Sequence, residues 1–124
     1  MKMIDTKNAP AAIGPYSQAM VVNGFVYTSG QIPINPATGA IETQDLKEQA
    51  EQVIKNLIAV LDASGSSIEK AVKTTCFLTD MNDFAAFNEV YAKYFTGKPA
   101  RSCVEVSALP KRSRVEIEVI AELG

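Results

Sequence analysis

Two segments with apolar residues at helical spacing constrain the fold of this chain more than any other feature of its sequence. The first begins after Asp45, where Glu48 three residues later indicates a capping box, and it stops at Gly65. The second opens at Asn82 or Asp83. Their apolar residues recur every three or four positions, at Leu46, Ala50, Val53, Ile54, Leu57, Val60 and Leu61, and at Phe84, Phe87, Val90, Tyr91, Tyr94 and Phe95. Both segments are therefore predicted to be amphipathic helices, each with one face in a core.

Segments with strand character surround these helices. Asn23-Gly24 tolerates the positive φ angles of a type I′ turn, and the apolar residues on either side of it predict a β-hairpin. Residues 30–39 contain two prolines and two glycines, which predicts an irregular loop. Because they are rich in β-branched residues or alternate apolar with charged residues, further strands are predicted at 71–79, 100–106 and 114–121.

The resulting order, β-β-α-β-α-β-β, predicts an α+β fold with one mixed sheet in a single domain, residues 1–124. Each strand–helix–strand connection should be a right-handed parallel crossover, so both helices would cover the same face of the sheet. The opposite face then carries Phe77 or Cys76, Cys103 or Val104, and Ile120, depending on the register. Such a face is too apolar to be left in water, and we expect self-association into a small cyclic oligomer to cover it.

Composition argues against several classes of function. Histidine is absent, which removes the Ser-His-Asp triad, the Cys-His pair and a histidine-ligated zinc site. The net charge of −2 argues against nucleic-acid binding, and no apolar run approaches the ~20 residues of a membrane span. The N-terminus lacks the apolar core of a secretory signal, and the two cysteines form no CxxC motif. We therefore expect a cytoplasmic protein with reduced thiols that uses no metal or cofactor and binds neither nucleic acid nor membranes.

Arg101 and Glu116 are the strongest candidates for binding a substrate or taking part in a reaction. Arg101 opens a strand, and its planar guanidinium is able to hold a carboxylate through two hydrogen bonds, although a rim salt bridge with Glu105 or Glu116 is the more common role. Glu116 is a solubility residue on an exposed face, whereas at a subunit interface it becomes a desolvated carboxylate that orients water. Cys103 shares a face with Arg101, but no base or second cysteine supports a nucleophilic thiol.

Five segments of the sequence carry a resemblance to a known family. They are Asn8–Gln18, Thr28–Pro33, Pro99–Val106, Leu109–Lys111 and Val115–Glu118. Together they resemble the reactive intermediate deaminase (RidA/YjgF) family over essentially the whole chain, most specifically from Pro-Ala-Arg to Glu-Ile. The resemblance implies a chorismate-mutase-like α+β domain and a homotrimer whose sheets form a central barrel with the helices outside. It also implies three equivalent clefts between subunits.

The activity implied by this resemblance is hydrolysis of 2-imino acids, such as 2-iminobutanoate and 2-iminopropanoate, to 2-oxo acids and ammonia. PLP-dependent serine and threonine dehydratases release these reactive enamine/imine intermediates. The resemblance assigns the substrate carboxylate to Arg101, the attacking water to Glu116 and a substrate hydrogen bond to the backbone amide of Cys103. It assigns the lining of the cleft to Tyr16, Ser29, Gly30 and Asn88, of which the first three otherwise look like plain turn residues.

Such chemistry is compatible with a chain that lacks histidine. A protonated imine is already a good electrophile, so the site needs positioning and a water rather than a strong nucleophile. One alternative is a trimer that binds 2-oxo acids or amino acids without turnover, or a regulatory protein. A less favoured alternative is a ribonuclease or translation inhibitor. The presence of Glu116 together with Arg101 favours the enzyme, because a pure carboxylate sensor needs only the arginine.

Overall fold

The computed structural model describes residues 1–124, which form eight strands and two α-helices. The helices are α1 (Leu46–Ser64) and α2 (Phe84–Tyr94). The strands are β1 (Lys2–Ile4), β2 (Ala19–Val22), β3 (Phe25–Thr28), β4 (Ile34–Asn35), β5 (Ala40–Ile41), β6 (Ala71–Leu78), β7 (Ala100–Glu105) and β8 (Val115–Glu122). Every predicted helix and strand is confirmed. The prediction of an irregular loop over 30–39 is wrong in part, because β4 lies within this range and pairs with β5, which begins directly after it, in a small hairpin.

Helix α1 begins and ends through local hydrogen bonding. Asp45 Oδ2 accepts a hydrogen bond from the Glu48 backbone N–H at 3.0 Å, and Gly65 closes the helix in the left-handed region with φ of 84°. The reciprocal half of the predicted capping box is absent. The Glu48 carboxylate instead accepts from the Thr43 hydroxyl, which in turn accepts from the Asp45 N–H at 3.1 Å.

Helix α2 follows a 3₁₀ turn over Met81–Asp83. Asp83 precedes the helix as predicted, but its side chain makes no capping hydrogen bond. Its carboxylate pairs with Arg114 at 2.8 Å, since a partner from the start of β8 is within reach. The side-chain cap belongs to Asp80, whose Oδ1 accepts from the Asn82 N–H at 2.9 Å. The local pattern predicts that Asp83 opens the helix, but its tertiary contact with Arg114 engages the carboxylate in an ion pair instead of a helix cap.

The main sheet has six strands in the order β1-β2-β3-β8-β6-β7, with only β6 and β7 parallel. Strands β3 and β6 are both antiparallel to β8 and hence run parallel to each other, so both helical connections join parallel strands, as predicted. Helices α1 and α2 pack against each other. They share one core cluster of 22 buried residues with the inner face of the sheet. Neither helix combines the length and apolarity that a membrane crossing requires.

The register decides which residues lie on the face without helices. Phe77 is opposite Glu116, and Val104 is opposite Phe77, so these side chains share the open face, while Cys76 points into the core. Ile120 lies on the same open face, opposite Lys73. The apolar side chains of this face extend across the sheet through Met3, Met20, Tyr27, Phe77, Val104 and Ile120. The predicted uncovered apolar face is therefore present.

Candidate functional site

Arg101 lies on the helix-covered face of the sheet, where three side chains of α2 hold its guanidinium. Its Nη1 donates to Asn88 Oδ1 at 2.8 Å. Its Cζ lies 4.7 Å from the ring centre of Tyr91 and 5.5 Å from that of Phe84. One N–H group and the planar faces are therefore engaged within the chain, and no carboxylate forms the rim salt bridge considered from the sequence. The remaining N–H donors are free to bind a ligand carboxylate.

The Tyr91 ring that supports Arg101 is itself fixed from two sides. Its hydroxyl shares a buried hydrogen bond of 2.7 Å with Thr74 Oγ1, and its ring stacks on Phe95 with centroids 4.3 Å apart. Burial raises the pKa of Tyr91 above its ordinary value, so the phenol remains protonated at neutral pH. The guanidinium consequently rests on a well-anchored aromatic surface.

Cys103 has a thiol that is not activated and a backbone N–H at the edge of the sheet. Burial raises the pKa of Cys103 above its ordinary value despite the nearby Arg101, and burial raises the pKa of its cross-strand neighbour Cys76 to about 12. Both thiols are free. The Val106 N–H donates to Leu78 O at 2.8 Å, so alternation along β7 directs the Cys103 N–H towards the free edge of the sheet. That amide is available to a ligand.

Glu116 is a half-buried carboxylate on the open face of β8. Burial, and to a smaller extent the charge of Glu118, raises the pKa of Glu116 above its ordinary value of 4.5. No lysine or arginine of the chain pairs with it. The carboxylate packs against Gly30, where a Cβ atom would lie 2.7 Å from Glu116 Cδ. Only glycine leaves room for the carboxylate at this position, and the raised pKa makes the carboxylate a better proton acceptor than an exposed glutamate.

Gly30 contacts the Glu116 carboxylate, follows Ser29 directly in the chain and shares a cavity wall with Tyr16. The Ser29 hydroxyl donates to the backbone oxygen of Ser17 at 2.5 Å, which ties the end of β3 to the segment that carries Tyr16. Tyr16 and Gly30 line a cavity of about 290 Å³ whose other walls are largely apolar. The half-exposed phenol of Tyr16 therefore lies at a small, largely apolar cavity, and Gly30 joins the wall of this cavity to the Glu116 carboxylate.

The two groups of predicted site residues lie on opposite faces of the same sheet. Arg101 is opposite Thr74 and Glu116 is opposite Phe77, and these two β6 residues are three positions apart, so their side chains point in opposite directions. One half-site consists of Arg101, Asn88 and the Cys103 amide, and the other consists of Glu116, Gly30, Ser29 and Tyr16. A ligand bound within one chain does not contact both.

Several residues that shape the site were not singled out from the sequence. Tyr91 was assigned to the core stripe of α2, and Thr74 to the β-branched content of a strand. The buried amide of Gln18 accepts from Thr6 N–H at 2.7 Å and donates to Pro10 O at 2.9 Å, fixing the segment before Tyr16. What these three residues share in the sequence is a polar group close to apolar residues. Such a group needs a hydrogen-bond partner when it is buried, and this requirement could have drawn attention to them. No group of three Cys, Asp or Glu side chains is placed to hold a metal ion.

This fold and this split site define the class to which the protein belongs. The chain matches the family described as Endoribonuclease L-PSP over residues 6–123, and it is a member of that family, which includes the RidA/YjgF proteins. The resemblance inferred from the sequence is thereby confirmed.

Individual relatives carry different names. The RutC family protein PH0854 of Pyrococcus horikoshii is 54% identical over 121 residues, covering 97% of this chain and 96% of the relative. The 2-iminobutanoate/2-iminopropanoate deaminase of Mus musculus is 50% identical over 124 residues, covering 99% of this chain and 92% of the relative. Among solved structures, Escherichia coli TdcF with bound serine is similar with a TM-score of 0.94 and 45% identity, covering 100% of both chains.

Proposed function

We propose that this protein hydrolyses 2-imino acids to 2-oxo acids and ammonia, in clefts between the subunits of a homotrimer. The observation that carries the proposal is the separation of Arg101 and Glu116 onto opposite faces of one sheet. If a substrate contacts both, two chains must contribute. The apolar face opposite the helices gives the chain a reason to associate, because Met3, Tyr27 and Val104 on it are exposed in the single chain.

The proposed reaction assigns one step to each group. Arg101 binds the substrate carboxylate through the N–H donors that Asn88 leaves free, and the Cys103 N–H donates to the substrate near its reacting centre. Glu116, as carboxylate, accepts a proton from a water molecule while the water oxygen bonds to the imine carbon. Glu116 then passes this proton to the departing nitrogen. As the C–N bond breaks, the O–H bond of the new hydroxyl also breaks, its proton returns to the Glu116 carboxylate, and the C=O bond forms. Ammonia and the 2-oxo acid leave, and Glu116 releases its proton to water. Electrostatic positioning supplies the catalysis, since the protonated imine is already electrophilic.

The names of relatives support this activity. Curated deaminases for 2-iminobutanoate and 2-iminopropanoate in Mus musculus and Salmonella typhimurium are each 50% identical to this chain. The solved TdcF structure contains serine, an amino acid with the carboxylate that Arg101 is proposed to bind. We place the reaction in the cytoplasm, where PLP-dependent dehydratases of hydroxy amino acids would supply the imines.

A second candidate is a trimer that binds 2-oxo acids or amino acids and regulates a partner without turnover. It is favoured by the engaged, pre-oriented Arg101, which is sufficient for carboxylate binding. The raised pKa of Glu116 favours the enzyme instead, because a sensor of anions gains nothing from an unpaired carboxylate beside its ligand. The ribonuclease and translation-inhibitor alternatives have no further observation in their favour.

The sharpest test is complementation between two inactive chains. Arg101→Ala is expected to reduce kcat/KM roughly 30-fold or more, and Glu116→Gln to reduce kcat about 10²–10⁴-fold. Co-refolding equal amounts of the two variants creates clefts with Arg101 from one chain and Glu116 from the other. If chains mix at random, about a quarter of the clefts are intact, so about a quarter of wild-type activity should return.

The assay follows semicarbazide capture of the imine that a threonine dehydratase releases, where catalysed hydrolysis reduces capture. The control is the double variant Arg101→Ala/Glu116→Gln co-refolded with itself, which should remain inactive. Activity that does not return in mixed oligomers of the correct mass contradicts a site shared between chains. A wild-type protein that remains a monomer at micromolar concentration contradicts the trimer and the cleft together.

A further inference from the structure

A second cavity, separate from the one that Tyr16 and Gly30 line, lies between the end of α2 and the start of β7. It encloses about 450 Å³, and Arg101 lies in its wall. The stacked rings of Tyr91 and Phe95 form an apolar side of it, and Lys98 is the other charged residue that lines it. No aspartate or glutamate is among the lining residues. The cavity therefore combines two cations with an apolar wall, which suits an anion with a hydrocarbon body.

The backbone fixes where the Lys98 side chain leaves the loop. Lys98 has a φ of 52°, in the left-handed region, and is followed directly by Pro99. A left-handed conformation is uncommon for any residue other than glycine, and proline further restricts the residue before it. The Lys98 N–H donates to Phe95 O at 3.2 Å, which anchors this conformation to the end of α2. The lysine forms no ion pair within the chain.

Resting on the proposed function, we propose that this cavity binds the substrate side chain and that Lys98 pairs with a second carboxylate at its end. The substrate class is then 2-imino acids with an acidic side chain, which yield 2-oxo diacids. Arg101 holds the carboxylate next to the imine carbon, the methylene groups lie along Tyr91 and Phe95, and Lys98 holds the distal carboxylate. A small neutral side chain leaves Lys98 without a partner.

Binding of stable 2-oxo acids tests the inference without requiring turnover. Isothermal titration calorimetry compares 2-oxoglutarate with 2-oxobutanoate on the wild-type protein, on Lys98→Ala, and on Lys55→Ala as a matched control that lies away from the cavity. The wild type should bind 2-oxoglutarate more tightly. Lys98→Ala should raise the Kd for 2-oxoglutarate about fivefold and change the Kd for 2-oxobutanoate by less than about twofold. Lys98→Glu should raise the Kd for 2-oxoglutarate by a further factor of similar size. In 0.5 M salt, the wild type should show a smaller preference for 2-oxoglutarate over 2-oxobutanoate, because salt screens the ion pair.

Either of two results overturns the inference. One is a wild-type protein that binds 2-oxoglutarate no more tightly than 2-oxobutanoate. The other is a Lys98→Ala substitution that raises the Kd of both ligands equally or of neither. Hydrolysis of the imines that an amino acid oxidase generates from glutamate and 2-aminobutyrate separates this failure from that of the proposed function. Diacid binding that depends on Lys98, without hydrolysis of either imine, contradicts the proposed function and leaves the cavity assignment standing. Hydrolysis of the neutral imine with no effect of Lys98 contradicts the cavity assignment alone.

Discussion

The hydrogen bond between Tyr91 and Thr74 offers a direct test of how the fold supports Arg101. The bond is 2.7 Å long, and Tyr91 and Thr74 are 8% and 0% exposed. Tyr91→Phe leaves the Thr74 hydroxyl with only the Cys76 thiol at 4.0 Å, a weak donor. Thr74→Val leaves the Tyr91 hydroxyl without its partner. Each single substitution should lower the free energy of unfolding by about 1–3 kcal/mol, the range for a buried polar group that loses its partner.

The double variant Thr74→Val/Tyr91→Phe should be less destabilised than the sum of the two single variants, because it leaves no polar group unpaired. We expect a coupling energy of about 1 kcal/mol or more. Urea unfolding followed by circular dichroism, at one fixed protein concentration, measures all four proteins. A coupling energy near zero would refute the idea that this bond contributes to the stability of the site.

The activity of the same variants separates the hydroxyl from the ring. Arg101 Cζ lies 4.7 Å from the Tyr91 ring, and Tyr91→Phe retains that aromatic face. We expect KM for a 2-imino acid to change by less than about twofold in Tyr91→Phe. Tyr91→Leu removes the aromatic face, and losing a cation–π contact of about 0.5–2 kcal/mol should raise KM roughly two- to thirtyfold. If Tyr91→Leu leaves KM unchanged in a folded protein, the ring does not position Arg101.

Three further predictions follow from other positions. Gly30→Ala should lower kcat about 10²-fold while the chain still folds, because the added methyl group displaces the Glu116 carboxylate; activity and circular dichroism on the same sample check this. The pKa of Glu116 is raised on folding, so its stabilising effect is present at low pH and is lost as pH rises through the folded pKa. As pH rises through the folded pKa of Glu116, the free energy of unfolding of the wild type should therefore fall relative to that of Glu116→Gln, as measured by urea unfolding at a series of pH values. Over the same pH range, kcat should rise in the wild type only. Gly65→Ala should lower stability by about 1 kcal/mol without affecting kcat, because its φ of 84° disfavours a side chain although nothing lies within 4 Å; thermal unfolding measures it.

Much of the fold could be predicted because the responsible interactions are local. The helical stripe that ends at Gly65 and the Asn23-Gly24 hairpin depend on residues close in sequence, and the structure contains both with the expected left-handed glycine or asparagine. Strands β1, β4 and β5 were missed because two or three residues are too few to display a period. Their pairing depends on neighbouring strands rather than on their own composition.

The residues of the candidate site were accessible from the sequence only through the resemblance. Spacing places Arg101 and Cys103 on one face of a strand, but nothing local predicts that the side-chain oxygen of Asn88 accepts a hydrogen bond from Arg101. Asn88 and Tyr91 lie on a different element, and their meeting with Arg101 depends on how α2 packs over β7. Likewise, the contact of Gly30 with Glu116 joins residues far apart in the chain.

The sequence by itself determined the two helices and the five longer strands, the presence of helices on one face of the sheet only, and the residue types available for chemistry without histidine. Alternation along a strand fixes which of its own residues share a face, but it does not relate one strand to the next. Only the register of β6 with β7 and β8 decided that Arg101 and Glu116 face opposite sides of the sheet. A shift of one residue in either pairing would have placed both side chains on the same face of the sheet, because the side-chain period of a strand is two.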